Sequence, residues 1–328
     1  MRVVVTGGAG FIGANLCRQL VMTPGLDVVV LDDLSTGSRQ NLEGVPVQLM
    51  VGSILSPEAL DDTLAGARTV VHLAARPSVS RSLADPRRTH AVNATGTLEV
   101  LESARRAGVS HVIVASSSSV YGASTRLPKF EDLAARPLSP YAASKLAAES
   151  YALAHAHSFG VGVLALRFFN VFGPLQTAGH PYAAVIPTFL EHALHRRPLP
   201  VHGDGKQTRD FTYVGSVCSV LTRAVLSGVR YEGPVNLAFG TRVSLLELIE
   251  RIEPLLGTRL AVEQRPMRPG DVRDSQADTT RLRSLFPDVQ PIELTEGLRA
   301  TIAWFRNHRL REVPEVRAPE GTSAALHR

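Results

Sequence analysis

Thr6-Gly7-Gly8-Ala9-Gly10-Phe11-Ile12-Gly13 lies between an apolar run, Arg2–Thr6, and a helix-like segment, Phe11–Val21. Glycines here permit a tight turn and let backbone N–H groups approach a pyrophosphate, which then faces the positive end of the helix. A glycine motif alone is a weak signal. This one has a strand before it, a helix behind it, and an acid, Asp32, just after the next apolar run, Asp27–Leu31. A carboxylate there can bond both ribose hydroxyls of an adenosine and repels the extra phosphate of NADP, and Asp33 adds to that repulsion. The expected cofactor is therefore NAD, against Gly7, Gly10, Phe11, Ile12, Gly13, Asp32 and Asp33.

Outward from this loop, short Val/Ile/Leu-rich runs at Val47–Val51, Thr69–Leu73, His111–Ala115 and Gly162–Arg167 alternate with helix-like segments at Pro57–Leu64, Asp85–Ala107 and Tyr141–Phe159. Most of the runs lack polar alternation, as expected of strands buried on both faces of a parallel sheet. The order implies an α/β fold, a Rossmann-type doubly wound parallel sheet. After Gly173 the pattern loosens into a smaller, mixed α/β substrate domain. Asp210–Val214 reads as a return toward the sheet, followed by a helix, Val217–Ser227, and one more strand, Pro234–Leu237. Short helices are expected at Leu245–Leu256 and Thr295–His308. The expected division is 1–172 plus 210–237 for the NAD-binding domain and 173–209 plus 238–311 for the substrate domain. A tail rich in Pro, Gly and small polar residues, 312–328, is expected to be disordered.

The chain has 328 residues, is 44% apolar and contains no run of eighteen apolar residues, which excludes a membrane-spanning helix. Its first residues read as a strand entering a glycine loop, not as a signal peptide, and the expected location is the cytoplasm. Cys17 and Cys218 lie in apolar, helix-like contexts, where no disulfide is expected. No Cys/His pair has metal-ligand spacing, and no metal is expected. The net charge of +5 is spread out, and aromatics make up only 5%, so neither a basic run nor a stacking platform for nucleic acid is present. The excess charge suits solvated surface and a site for an acidic small molecule.

Ser139-Pro140-Tyr141-Ala142-Ala143-Ser144-Lys145 has an N-cap serine, a first-turn proline, and Tyr141 and Lys145 one helical turn apart. A phenol titrates near 10, too high for a base at neutral pH. A nearby ammonium and a cationic nicotinamide ring both favour the phenolate. The chain holds three lysines, Lys129, Lys145 and Lys206, among 35 basic residues, so lysine at this place is a choice against the prevailing arginine. A compact ammonium fits beneath a tyrosine where a broad guanidinium does not. Taken alone, the spacing is equally that of an ordinary surface helix. The run Ala115-Ser116-Ser117-Ser118-Ser119 ends the fifth strand, where ligands of open α/β sheets bind, and offers several candidate hydroxyls.

Together with Asp32-Asp33-Leu34-Ser35-Thr36-Gly37, His72-Leu73-Ala74-Ala75 and Ser119-Val120-Tyr121-Gly122, these motifs resemble the extended short-chain dehydrogenase/reductases. More narrowly they resemble the NAD-dependent sugar epimerase/dehydratase family, with the UDP-glucose 4-epimerases nearest, over about residues 1 to 310. The resemblance implies that Tyr141 is the acid/base, Lys145 its pKa partner and ribose ligand, and Ser117 the catalytic hydroxyl, with Ser118 the alternative. It adds Ser35, Thr36, Gly37, Ser53, Ile54, Leu73, Ala74, Ala75, Asn93, Ala115, Ser116, Phe168 and Val171 to the cofactor site. It implies a substrate site of Ser78, Ser117, Ser118, Tyr141, Asn170, Val201, Arg209, Arg268, Asp271 and Ser275. Asn170, Arg209 and Arg268 would bind the nucleotide diphosphate, Asp271 the uridine ribose, and Ser275 would gate the sugar pocket, leaving room for an N-acetyl group. Ser53 departs from the aspartate usual in the family and would bind adenine more weakly.

Related dehydratases place Asp-Glu directly after the catalytic hydroxyl, and decarboxylases carry a Glu two residues after it. Here Ser118 and Ser119 stand in those places. The implied reaction is C4 epimerisation of a UDP-hexose by transient oxidation, in a homodimer formed through a four-helix bundle of Asp85–Ala107 and Tyr141–Phe159. A UDP-glucuronate 4-epimerase, with Arg76 or Arg81 on the sugar carboxylate, is the alternative within the family. A non-catalytic NAD(H)-binding regulatory protein is the alternative outside it, since a fold alone does not make a catalyst.

Overall fold

The structure is a computed structural model that describes residues 1–178, 183–267 and 272–312, with side chains as far as His308. Its centre is a seven-stranded sheet. In chain order the strands and flanking helices are β1 (Arg2–Thr6), α1 (Phe11–Leu20), β2 (Asp27–Asp32), β3 (Gln48–Val51), α2 (Pro57–Leu64), β4 (Thr69–His72), α3 (Val79–Ala84), α4 (Pro86–His90), α5 (Gly96–Arg106), β5 (His111–Ser117), α6 (Pro140–Phe159) and β6 (Gly162–Phe168). The remaining elements are β7 (Asn170–Phe172), α7 (Val185–Leu194), β8 (Leu199–His202), β9 (Thr208–Arg209), β10 (Phe211–Tyr213), α8 (Val214–Ser227), β11 (Pro234–Leu237), β12 (Val243–Ser244), α9 (Leu245–Leu256), β13 (Val262–Arg265), α10 (Thr280–Leu285) and α11 (Leu294–Glu312).

The sheet runs β3-β2-β1-β4-β5-β6-β11, and every pairing is parallel. The continuous apolar runs follow from helices covering both faces. In β1, Val3 and Val5 pack with α1 and α8, whereas Val4 packs with α2 and α5, and all three are fully buried. Cys17 and Cys218 are buried free thiols on α1 and α8, each pushed up to about 12 by burial, which makes them poor nucleophiles. A second core gathers Phe172, Ile186, Phe189, Leu199, Leu248 and Leu298 from β7, α7, β8, α9 and α11. Leu282 and Phe286, around α10, instead join the sheet core. From residue 313 the expected disordered tail lies outside the described residues.

Two expectations need correction. The return toward the sheet at Asp210–Val214 does not reach it. Phe211–Tyr213 pairs in parallel with Asn170–Phe172, because both edges of β6 are already taken by β5 and β11. The long helix Asp85–Ala107 is not uniform. Asp85 caps α4 by accepting from the Arg88 N–H, and between α4 and α5 the turn Ala91–Thr95 widens to a π-helix. Such bulges recur at functional sites, and this one carries Asn93.

Candidate active site

The glycine loop is held at its limit of closeness. Gly7 has φ +72°, and a Cβ on it would stand 2.6 Å from Ala74 N. A Cβ on Gly13 would stand 2.2 Å from Gly7 O, and one on Gly37 would stand 2.7 Å from the carbonyl carbon of Ala9. These glycines let the loop, the start of α1 and the segments after β2 and β4 pack backbone against backbone at the N-terminus of α1, the end of a helix that favours an anion. Asp32 closes β2, accepting from Ala9 N–H at 2.9 Å and from Leu34 N–H at 2.9 Å. Burial pushes its carboxyl up, opposed by those two bonds. Asp33 is exposed and accepts from the Ser35 N–H and hydroxyl, fixing the turn that leads through Thr36 to Gly37. Gly13→Ala should weaken NAD binding by at least about tenfold, since the new methyl meets backbone that cannot yield. Equilibrium dialysis measures it, and unchanged affinity would refute this placement.

Phe11, Ile12 and Leu73 pack partly buried on the sheet core beside the loop. Ala74 N–H donates to Thr6 Oγ1 at 3.4 Å, and Ala75 follows in the same loop. Ser53 accepts from Leu55 N–H, and Ile54 is buried against Gly96. Phe168 is buried at the end of β6, and Val171 packs partly buried against the sheet core.

Tyr141, Lys145 and Ser117 come together. Ser139 caps α6 by accepting from Ala142 N–H, and Pro140 takes the first turn, so the helix begins at the carboxyl end of β5. The Ser117 hydroxyl accepts from Ser119 N–H at 3.2 Å and lies close enough to the Tyr141 phenol to act on its pKa. Burial raises the phenol's pKa and the nearby Ser117 hydroxyl lowers it. Lys145 was expected to do the lowering, but its Nζ donates to Ala115 O at 2.8 Å, and burial brings it down to about 8. Its charge is felt at His72, which burial chiefly, and Lys145 secondarily, push down to about 3. The neutral imidazole bridges Thr6 at 2.7 Å and Thr97 at 2.9 Å. Ser118 is half-buried in the turn after β5. Ser116 turns its hydroxyl to Glu149, which leaves its backbone for any cofactor contact.

Asn93, expected near the cofactor, is buried and fully engaged with protein groups. It accepts from Arg76 N–H at 2.7 Å and donates to Arg76 O and Ser144 Oγ, clipping the Arg76 loop to α6. Ser78 has φ +91° and caps α3 by accepting from Arg81 N–H. A serine held there is strained, as residues at ligand sites often are.

Asn170 and Arg209 line one cavity of about 240 Å³ with Gln176, Thr188, His202 and Gln207. Pairing of β10 with β7 sets Asn170 opposite Phe211, next to Arg209. Arg209 donates to Thr208 O and Arg273 O. Val201 does not line the cavity. It is buried in the second core, and its neighbours Pro200 and His202 face the space instead. Ser275 lies beside the site, its N–H donating to Thr208 O at 3.1 Å. Arg268 and Asp271 lie outside the described residues. Among the described residues no cluster of metal-ligating side chains occurs, and no helix is long and apolar enough to cross a membrane.

Several site residues escaped the sequence reading. Gln176, Thr188 and Gln207 carry no motif, and only the cavity identifies them. Glu149 was legible in part, as an acid one turn beyond Lys145 in an alanine-rich helix.

The sequence profile of the NAD dependent epimerase/dehydratase family matches residues 3–238. A UDP-glucose 4-epimerase of Mycolicibacterium smegmatis is 36% identical over 317 residues, covering 94% of this chain and 99% of that protein. The UDP-N-acetylglucosamine 4-epimerase of Methanobrevibacter ruminantium, solved with UDP-N-acetylmuramic acid, superposes with TM-score 0.88 at 35% identity over 94% of this chain and 98% of its own. The UDP-glucuronic acid 4-epimerase of Bacillus cereus, solved with UDP-glucuronic acid and NAD, superposes with TM-score 0.87 at 29% identity over 94% and 100%. The glycine cradle and Asp32 fit the same cofactor, NAD. On this match of motif, site and fold, the chain belongs to the NAD-dependent epimerase/dehydratase family.

Proposed function

We propose that this protein inverts C4 of a UDP-hexose, interconverting UDP-glucose and UDP-galactose and also accepting UDP-N-acetylhexosamines. The observation that carries the reading is the Tyr141–Ser117 hydroxyl pair at the carboxyl end of β5, with Lys145 one turn along α6 and no acid at Ser118 or Ser119. NAD supplies, when bound, the reversible acceptor for the C4 hydride. Tyr141 as phenolate takes the C4 hydroxyl proton and later returns one, and Ser117 orients the reacting oxygen. Elimination and decarboxylation would need a further acid/base beside Ser117. Asn170 and Arg209 hold the diphosphate, with Arg268, while the sugar turns about that anchor. The sheet core with its glycine loop serves NAD, and the second core serves the nucleotide sugar. The protein works in the cytoplasm as a homodimer, for which exposed Tyr151 and Phe159 on α6 offer apolar surface.

Conversion of UDP-galactose to UDP-glucose by the purified protein tests the reading. No product, with NAD added, removes it for that substrate. The same panel includes UDP-N-acetylglucosamine and UDP-glucuronate. Ser275→Tyr should abolish turnover of the N-acetyl sugar while sparing UDP-glucose, and equal loss of both would refute the gate. One observation favours the glucuronate alternative: Arg76 Nε is buried without a hydrogen-bond partner, 3.7 Å separating its Nη2 from Asp85. Appearance of NADH absorbance when sugar nucleotide is added excludes a purely regulatory NAD(H)-binding role.

A further inference from the structure

Three consecutive residues at the end of β5 lie against one face of α6, two of them hydrogen-bonded to it. Lys145 Nζ donates to the Ala115 carbonyl at 2.8 Å, Ser116 Oγ donates to Glu149 Oε2 at 2.6 Å, and Ser117, the next residue, lies near enough to Tyr141 to lower its phenol pKa. Tyr141, Lys145 and Glu149 succeed one another at four-residue steps, so they stand in line along the helix. Ser116 and Glu149 are each only 3% exposed. The Glu149 carboxylate cannot swing, because Arg167 on β6 grips both its oxygens, Nε to Oε2 at 2.9 Å and Nη2 to Oε1 at 2.6 Å. Arg167 is in turn fixed by donating Nη1 to Glu131 O and by lying 4.8 Å over the Tyr121 ring. A buried ion pair is weak evidence of stability, since desolvation offsets most of its attraction. What this one does is hold a single acceptor oxygen rigidly opposite Ser116.

We propose that Glu149, locked by Arg167, is a positioning residue for the reaction. Through the Ser116 hydroxyl it sets the register of the β5 end on α6, so that the next residue, Ser117, meets the Tyr141 oxygen. The inference rests on the reading of Tyr141 and Ser117 as the acid/base pair. Its consequence is chemical as well as geometric. The Ser117 hydroxyl lowers the Tyr141 pKa, so moving Ser117 away raises it, and activity that needs the phenolate is lost first at the acid end.

Ser116→Ala tests this while leaving the ion pair intact. In NAD-loaded enzyme, kcat should fall about tenfold with KM and NAD content nearly unchanged. The acid limb of the kcat–pH profile should move up by about half to one pH unit. Because Ser116 acts through Ser117, the double variant Ser116→Ala/Ser117→Ala should match Ser117→Ala alone in both rate and limb. An unshifted limb in Ser116→Ala, or losses that multiply in the double variant, overturns the positioning role. Tyr141→Phe separates the two failures. If it abolishes turnover while Ser116→Ala leaves rate and profile unchanged, the positioning role alone falls. If the wild type turns over no nucleotide sugar, both fall.

Discussion

Tyr141→Phe should lower kcat by about a thousandfold or more, within the range of a lost general acid/base, while the protein stays folded and keeps its NAD. The ring is retained, so packing changes little. What disappears is the phenol oxygen near Ser117. Direct measurement of UDP-galactose turnover, with bound NAD assayed after acid release, checks both halves. Retention of more than about a tenth of the activity would exclude Tyr141 as the proton acceptor. The pH dependence follows from the same geometry. Burial raises the phenol, and the Ser117 hydroxyl opposes it. The reactive form is the phenolate, present above that pKa and lost as pH falls through it. Activity should therefore climb with pH toward that raised value, above the ordinary phenol range near 10 unless bound NAD draws it down, and Ser117→Ala should shift the climb upward.

Lys145→Met should lower kcat by about a hundredfold, and Lys145→Arg should not restore it, because a guanidinium is too broad for a position only 6% exposed. The ammonium holds the Ala115 carbonyl at 2.8 Å, so its loss leaves an acceptor unpaired as well as removing a charge. Burial holds its pKa near 8, below the ordinary 10.5. Between those values the unfolded chain binds more protons than the folded one, so stability rises with pH across that window, and the burial cost is present in full below it. Urea unfolding of the NAD-free protein between pH 8 and 10.5 should show this rise in the wild type and lack it in Lys145→Met. A basic limb of activity near pH 8 in the wild type that persists in Lys145→Met would assign that limb to another group.

How far the site could be read beforehand depended on how local each relationship was. Tyr141 and Lys145 are one turn apart, and Ser139 and Pro140 announce the start of their helix, so the pairing is written within seven residues. Gly7, Gly13 and Asp32 are legible for a similar reason, since a strand–loop–helix unit brings neighbours in sequence to one anion site. Ser117 was one of four adjacent serines by residue pattern, singled out only by resemblance, and the structure sets it near Tyr141 while turning Ser116 to Glu149. Asn93 was placed near the cofactor by resemblance, and its clip from Arg76 to Ser144 spans too many residues to be inferred from spacing.

Periodicity, glycine placement and capping residues by themselves determined a parallel sheet wrapped by helices and a dinucleotide loop at its first crossover, because those features act through backbone geometry within a few residues. Only the tertiary structure decided that Phe211–Tyr213 pairs with β7 and not with the main sheet, that Asn170 and Arg209 share a cavity, and that Arg167 locks Glu149 against Ser116. Each of these depends on which edge, face or charge remains free once distant segments have packed, and that competition leaves no periodic trace in the chain.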